Sequence, residues 1–313
     1  LLCAALSRRS NQVLALRGSY HGRSFAATGV TGIRGWSASS LSPLTVSYVH
    51  GGYRYRSPWR DLDDQAYTAA CVEDLNSMIA TATAGDVACM IAEPIQGVGG
   101  FTVPPDGFFK VMKEVLDETG ILFVSDEVQT GWGRTGEHFW GIEAHGFVPD
   151  AMTMAKGLGN GMAIGAVVAR PELMDGVRAS SISTFGGNPL TTRVALATLD
   201  YLEAHDLQAN ALKIGTRLFE AVRHATDHNP LVGEVRGRGL MMGVELVEPG
   251  GRLPSPAAAA RALEETRRRG LLVGKGGLNG NVLRIAPPLS ITEEEADEGA
   301  GRLVEALEAA SRG

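Results

Sequence analysis

DGFFKVMKEVLDETGILFVSDE, residues 106–127, reads as a helix, a stop and a strand in immediate succession. Phe109, Met112 and Leu116 recur at helical spacing. Asp106 is placed to cap the first turn and Gly120 to end the last. Residues 121–125 are then almost wholly apolar, and the run meets two acids, Asp126 and Glu127. Upstream, DVACMIAEP (86–94) is a second apolar run that ends in Glu93. Two such strands around one helix make a βαβ unit, so they are expected to be parallel and buried on both faces.

The alternation continues outward. QVLALRG (12–18), DAMTMAK (150–156) and AIGAVVA (163–169) read as further strands. Asn188 and Pro189 form an N-cap and first-turn pair, and Leu190, Val194, Ala197 and Tyr201 keep helical spacing after them. From about residue 207 the character changes. A helix over 208–225 leads to two strands in EVRGRGLMMGVEL (234–246). A helix opened by Ser255 and Pro256 ends near Gly270, and short strands follow at 271–274 and 282–285. The last helix starts with a capping box, Thr292 to Glu295, and turns Ala296, Ala300, Leu303 and Leu307 inward. The expected fold is α/β: a mostly parallel central sheet flanked by helices over 1–206, then a small α+β domain over 207–313. Residues 28–64 are rich in Gly, Ser, Arg and Tyr and read as a loop. LLCAALSRR (1–9) reads as the end of a helix that starts upstream.

Net charge is −6, with 20% charged and 44% hydrophobic residues. That is a soluble, globular composition, without the basic patch or basic amphipathic stretch that nucleic acid or a membrane surface needs. Cys3, Cys71 and Cys89 are odd in number and match no metal-ligand spacing, so a reducing compartment is expected, the cytoplasm or a mitochondrial matrix. His224 and His228 share a helix face at a helix end and are expected to be solvated, with no metal. GWGRTG (131–136) fits G-x-G-x-x-G, but DEVQT separates it from the strand, and EHFWGIEAHG (137–146) is too broken for the long helix a dinucleotide site requires.

In open α/β sheets, ligands bind beyond the carboxyl ends of the strands. Glu93, Asp126 and Lys156 sit at three such ends. Of the five lysines, Lys110, Lys113 and Lys213 fall on helices and Lys275 in a glycine-rich loop. Only Lys156 follows an apolar strand. A lysine amine in a partly dry pocket can attack a carbonyl and form a Schiff base, although a strand-end lysine can also simply reach solvent. Asp126 can cap a helix or pair with Arg134. Taken with Lys156, it can also serve as the acid opposite a pyridine nitrogen. Pyridoxal phosphate asks for that pair: an amine for its aldehyde and an acid for its ring.

SYHG (19–22), AEPIQGVGG (92–100), DEVQTGWGRTG (126–136), HFWG (138–141), PDAMTMAKGLGNG (149–161), STFGGNP (183–189), VRGRGLMMGVEL (235–246) and LRIAPPLSIT (283–292) together resemble the class III (subgroup II) pyridoxal-phosphate aminotransferases. The resemblance spans nearly the whole chain, and EPIQGVGG, HFWG and GLLVGKGG are most similar to the alanine–glyoxylate branch. It implies a fold-type I transferase, a pyridoxal 5'-phosphate cofactor and a homodimer with the active site at its interface. It further implies transfer of an amino group from an amino acid or ω-amino acid to pyruvate or glyoxylate. Lys156 is then the Schiff-base lysine and proton shuttle, and Asp126 the partner of the ring nitrogen. Gln129 lies on the 3-hydroxyl side, with Val128 and Tyr20 on the two ring faces. His21, counted with the cofactor site, shapes the turn with Gly22. Thr184 resembles a phosphate donor to the neighbouring subunit, Arg284 the grip on the substrate carboxylate, and Glu93 the acid that gates Arg284. Tyr20 as a core aromatic and Thr184 as a helix-approach residue stay open. So do a mutase or decarboxylase on the same scaffold, and a cofactor-poor, non-catalytic dimerisation partner. The last arises because the family's glycine- and serine-rich phosphate cradle has no counterpart here, so an N-terminal truncation is expected.

Overall fold

The structure, a computed structural model, describes residues 1–37 and 41–312. In chain order its elements begin with α1 (Leu2–Arg8), β1 (Gln12–Leu16), α2 (Phe25–Gly29), β2 (Thr45–Val49), α3 (Asp64–Ala82), β3 (Cys89–Ala92) and α4 (Phe108–Glu118). There follow β4 (Leu122–Asp126), β5 (Ala151–Met154), β6 (Ala166–Ala169), α5 (Pro171–Met174) and α6 (Pro189–Ala204). The remainder is α7 (Leu207–Thr226), β7 (Val232–Arg238), β8 (Met241–Leu246), α8 (Pro256–Arg268), β9 (Gly274–Gly276), β10 (Val282–Ile285) and α9 (Glu293–Ser311). The chain forms two units. The first holds Leu1–Ile95, Pro104–Trp132 and Trp140–His205; the second holds Gln96–Val103, Gly133–Phe139 and the chain from Asp206 on.

The first unit is built on a six-stranded sheet of order β2-β1-β3-β4-β5-β6, parallel except for β6, which runs antiparallel to β5. Side chains alternate across a strand, and here both faces are covered. Leu14, Leu16, Met90 and Phe123 pack with Tyr67, Cys71 and Leu75 of α3 and with Phe108, Phe109, Met112 and Leu116 of α4. Val13, Ala15, Cys89, Ile91, Leu122 and Val124 fill the opposite face with Ala4, Val30 and Leu173. Phe109 is the centre of the first cluster, with its ring edge-on to Phe108 at 5.1 Å, Phe123 at 5.6 Å and His145 at 4.9 Å. Each fully buried phenyl stabilises the fold by about 1.5–3 kcal/mol.

Several expectations need correcting. Asp106 does not cap α4. Gly107, at φ +76°, is the N-cap and gives no side-chain bond, while the Phe108 amide closes a turn on the Pro105 carbonyl at 3.1 Å. That turn takes the first amide and leaves Asp106 outside the helix. The stretch 28–64, expected as loop, contains β2, paired in parallel with β1, and leads into α3, capped where Asp63 accepts from the Ala66 amide at 2.8 Å. Residues 38–40 of that stretch lie outside the described residues. Asn188 caps α6 as read, accepting from the Thr191 amide at 3.1 Å, yet Leu190 is 65% exposed. Thr191, Ala195 and Leu202 are the buried residues of that helix.

The second unit carries a four-stranded antiparallel sheet, β7-β8-β10-β9. α7, α8 and α9 bury Leu218, Val222, Ala258, Ala262, Leu303 and Leu307 against Met242, Val244, Leu246 and Leu283. Ser255 and Thr292 cap their helices as read, the latter with Glu295 in a capping box. The first short strand lies at 274–276, three residues later than expected, because the chain after α8 spends Gly270 (φ +72°) and Leu271 closing the helix end. α7 ends at Thr226, so His228 lies past the helix and shares no helix face with His224. Among the described residues no helix is long and apolar enough to cross a membrane.

Candidate active site

β1, β3, β4 and β5 are parallel neighbours, so their carboxyl ends line one edge of the sheet. Tyr20 and His21 follow β1, Glu93 follows β3, Asp126 ends β4 and Lys156 lies just past β5. Register fixes the last three closely. Ala92 pairs with Ser125, which sets Glu93 level with Asp126, and Asp126 pairs with Thr153, three residues before Lys156.

Asp126 is buried, and both its oxygens are engaged. Oδ2 lies 2.7 Å from His21 Nδ1, and Oδ1 accepts from the Val128 amide at 3.1 Å. Arg134, the alternative partner, points its guanidinium elsewhere within the second unit, donating to the carbonyls of Leu240 (3.3 Å) and Pro287 (2.8 Å). Glu127 faces the other way, since adjacent strand residues alternate. It is fully buried, with no cation beside it among the described residues, and accepts from the amides of Gly141 (2.9 Å) and Ile142 (2.8 Å), from the Ser125 hydroxyl (3.2 Å) and from the Thr130 hydroxyl (2.5 Å). Burial pushes its carboxyl pKa above the ordinary value, against the pull of those hydrogen bonds. Glu127 thereby ties the turn after β4 to the 3₁₀ turn Gly141–His145. Gly131 sits inside that tie: a Cβ there would lie 2.8 Å from Trp140 Cζ3. Residues 127–136 form successive turns and open no helix, so the G-x-G-x-x-G match has no dinucleotide geometry.

Lys156 is exposed rather than partly dry, on a 3₁₀ turn, Lys156–Gly159, with its own φ at +40°. Glu93 is buried and accepts from the Tyr20 amide at 2.8 Å. The half-buried Tyr20 ring meets Trp36 edge-on at 5.2 Å. Val128 and Gln129 are half-buried on the turn after Asp126, and Thr184 is exposed ahead of α6. Arg284 lies on β10 of the second unit, where it donates to the Gly97 carbonyl at 3.2 Å, its guanidinium over the Phe101 ring at 5.5 Å. The sequence reading missed the His21–Asp126 contact and the Glu127 hub. Two adjacent acids at a strand end were the available signal, because alternation forbids them a common partner. A buried acid, a primary amine just past the end of the next strand and an aromatic ring on the same edge form a donor set that fits pyridoxal phosphate.

Residues 3–307 match the aminotransferase class-III family. The chain belongs to that family. It is 40% identical over 311 residues to the mitochondrial alanine–glyoxylate aminotransferase 2 homolog 2 of Arabidopsis thaliana, covering 98% of this chain and 63% of that protein. It is 36% identical over 299 residues to an alanine/serine racemase of Pyrococcus horikoshii, covering 93% and 63%. Among solved structures, an amine transaminase from an uncultivated Pseudomonas species, in its PLP-bound form, superposes with a TM-score of 0.89 at 35% identity. That match covers 99% of this chain and 71% of the other. These likenesses establish the fold-type I architecture, and pyridoxal phosphate is the cofactor that goes with class-III membership. The chain spans about 63% of the length of the curated relatives it matches.

Proposed function

We propose that this chain carries the reacting half of a transaminase, moving an amino group from an amino acid or ω-amino acid to a 2-oxo acid such as pyruvate or glyoxylate. The observation behind this reading is that Asp126, at the end of β4, pairs with Thr153 of the adjacent parallel strand, three residues before Lys156. Bound pyridoxal phosphate supplies an aldehyde for amine exchange and a ring that withdraws electrons from the carbon losing its proton. Asp126 would hold the ring nitrogen, with Tyr20 and Val128 on its faces and Gln129 beside its hydroxyl. The Lys156 amine would join the aldehyde and, once displaced by substrate, carry the proton between the two reacting carbons. Glu93, buried level with Asp126, sets the Tyr20 backbone and so the height of its ring. Arg284 offers a guanidinium fork to a substrate carboxylate. Thr184 would give its hydroxyl to the phosphate of a second copy in a homodimer.

The test is optical. The chain mixed with pyridoxal phosphate should develop the visible colour of a lysine-bound aldehyde, and Lys156→Ala should not. Added amino donors should bleach that colour, and pyruvate or glyoxylate should restore it. No colour with the wild-type chain would leave the cofactor-poor dimerisation reading in place. Likeness to an alanine/serine racemase favours a second reading, racemisation at the same site. Interconversion of L- and D-alanine without consumption of a 2-oxo acid would select it.

A further inference from the structure

His21 touches Asp126, not the space beyond the strand ends. Its side chain is only 1% exposed, and that of Asp126 only 5%. The residue is held from both sides. Its own amide donates to Thr31 Oγ1 at 3.2 Å, Thr31 in turn donates to the Ala27 carbonyl at 2.9 Å, and the preceding amide is taken by Glu93. The ring therefore has little freedom to turn away. Its other nitrogen, Nε2, is buried without a hydrogen-bond partner among the described residues.

These contacts decide the tautomer. With the proton on Nε2, the Nδ1 lone pair would face a carboxylate oxygen at 2.7 Å, and Nε2–H would be a buried donor with no acceptor. Both arrangements are costly. With the proton on Nδ1 the contact is a hydrogen bond to an anionic acceptor, the stronger kind, and Nε2 is left as an acceptor only. We propose that His21 is a positioning residue: its Nδ1–H clamps Asp126 Oδ2 while the Val128 amide clamps Oδ1, fixing the rotation of the carboxylate that would hold the cofactor ring. This deepens the transaminase reading and rests on Asp126 being the acid opposite the cofactor ring. It replaces the turn-shaping role expected for His21 with one that acts through Asp126.

Side-chain ¹⁵N NMR of the cofactor-free protein, with His21→Asn used to assign the signal, should find His21 as the Nδ1–H tautomer. Free imidazole favours the other one. His21→Leu keeps the bulk and removes the donor. It should weaken pyridoxal phosphate binding about tenfold or more and shift the absorption maximum of the bound cofactor. His21→Asn, whose amide can donate from near the Nδ1 position, should restore affinity to within about threefold of wild type. Matching urea midpoints for the two variants would separate this from a folding defect. An Nε2–H tautomer, wild-type cofactor affinity in His21→Leu, or no rescue by His21→Asn would each overturn the proposal. Failure of the wild-type chain to bind pyridoxal phosphate would sink the transaminase reading instead, and the tautomer would still decide the clamp.

Discussion

Asp126 and Glu127 are neighbours in sequence and opposed in use. The first faces the strand-end site; the second is spent on the turn behind it. Glu127 has a consequence for pH. Burial raises its carboxyl pKa in the folded chain, so the folded state keeps that proton to higher pH than the unfolded state does. The stability this contributes is full below the unfolded value, about 4.3, and is lost as pH rises through the folded one. Glu127→Gln stays neutral at every pH. Urea unfolding between about pH 4 and about pH 8 should show the wild type losing stability relative to the variant as pH rises. A constant difference between the two would refute this. At this scale the sequence exposed the types of Asp126, Lys156 and Glu93 and their strand-end positions. It could not expose His21 as Asp126's partner, because the two are 105 residues apart and only the order of strands brings them together.

At the scale of elements, α4 and β4 were legible because their signals are strong and local. One is a helix with a single apolar face, the other an apolar run closed by acids. Phe109 carries much of that arrangement. Phe109→Ala should cost about 3–5 kcal/mol of unfolding free energy, read from denaturant midpoints at unchanged slope. β2 was not legible: TVSYV is only partly buried at the edge of its sheet, so neither alternation nor an apolar run marks it. α3 gave little more, because DQAYTAACVEDLNSMIATA spreads small and polar residues around the helix, and its buried set includes Thr68 and Cys71. β6 is an edge strand with Val167 and Val168, on opposite faces, 56% and 58% exposed, a pattern its apolar sequence did not foreshadow.

For the whole molecule, the least legible feature is how the chain is apportioned. Residues 96–103 follow a first-unit strand yet belong to the second unit. Polar bonds hold them there. Arg236 Nε donates to the Gly100 carbonyl at 3.0 Å and Arg284 to that of Gly97, while the Gly277 amide donates to the Val98 carbonyl at 2.9 Å. Arg236 also meets Glu234 and the fully buried Glu245, at 2.5 and 2.6 Å. Arg236→Met would remove the guanidinium that Glu245 meets at 2.6 Å, at a cost of about 3–5 kcal/mol. The loss should appear in unfolding followed by probes in the second unit. Lys156 bears on the durability of the protein as a whole. Its left-handed backbone is a conformation that asparagine tolerates and lysine resists. Lys156→Asn should therefore relax the chain by up to about 1 kcal/mol while removing the amine proposed to react. Calorimetry should find the variant melting at the higher temperature, so that on the proposed reading the amine is held at the expense of heat resistance.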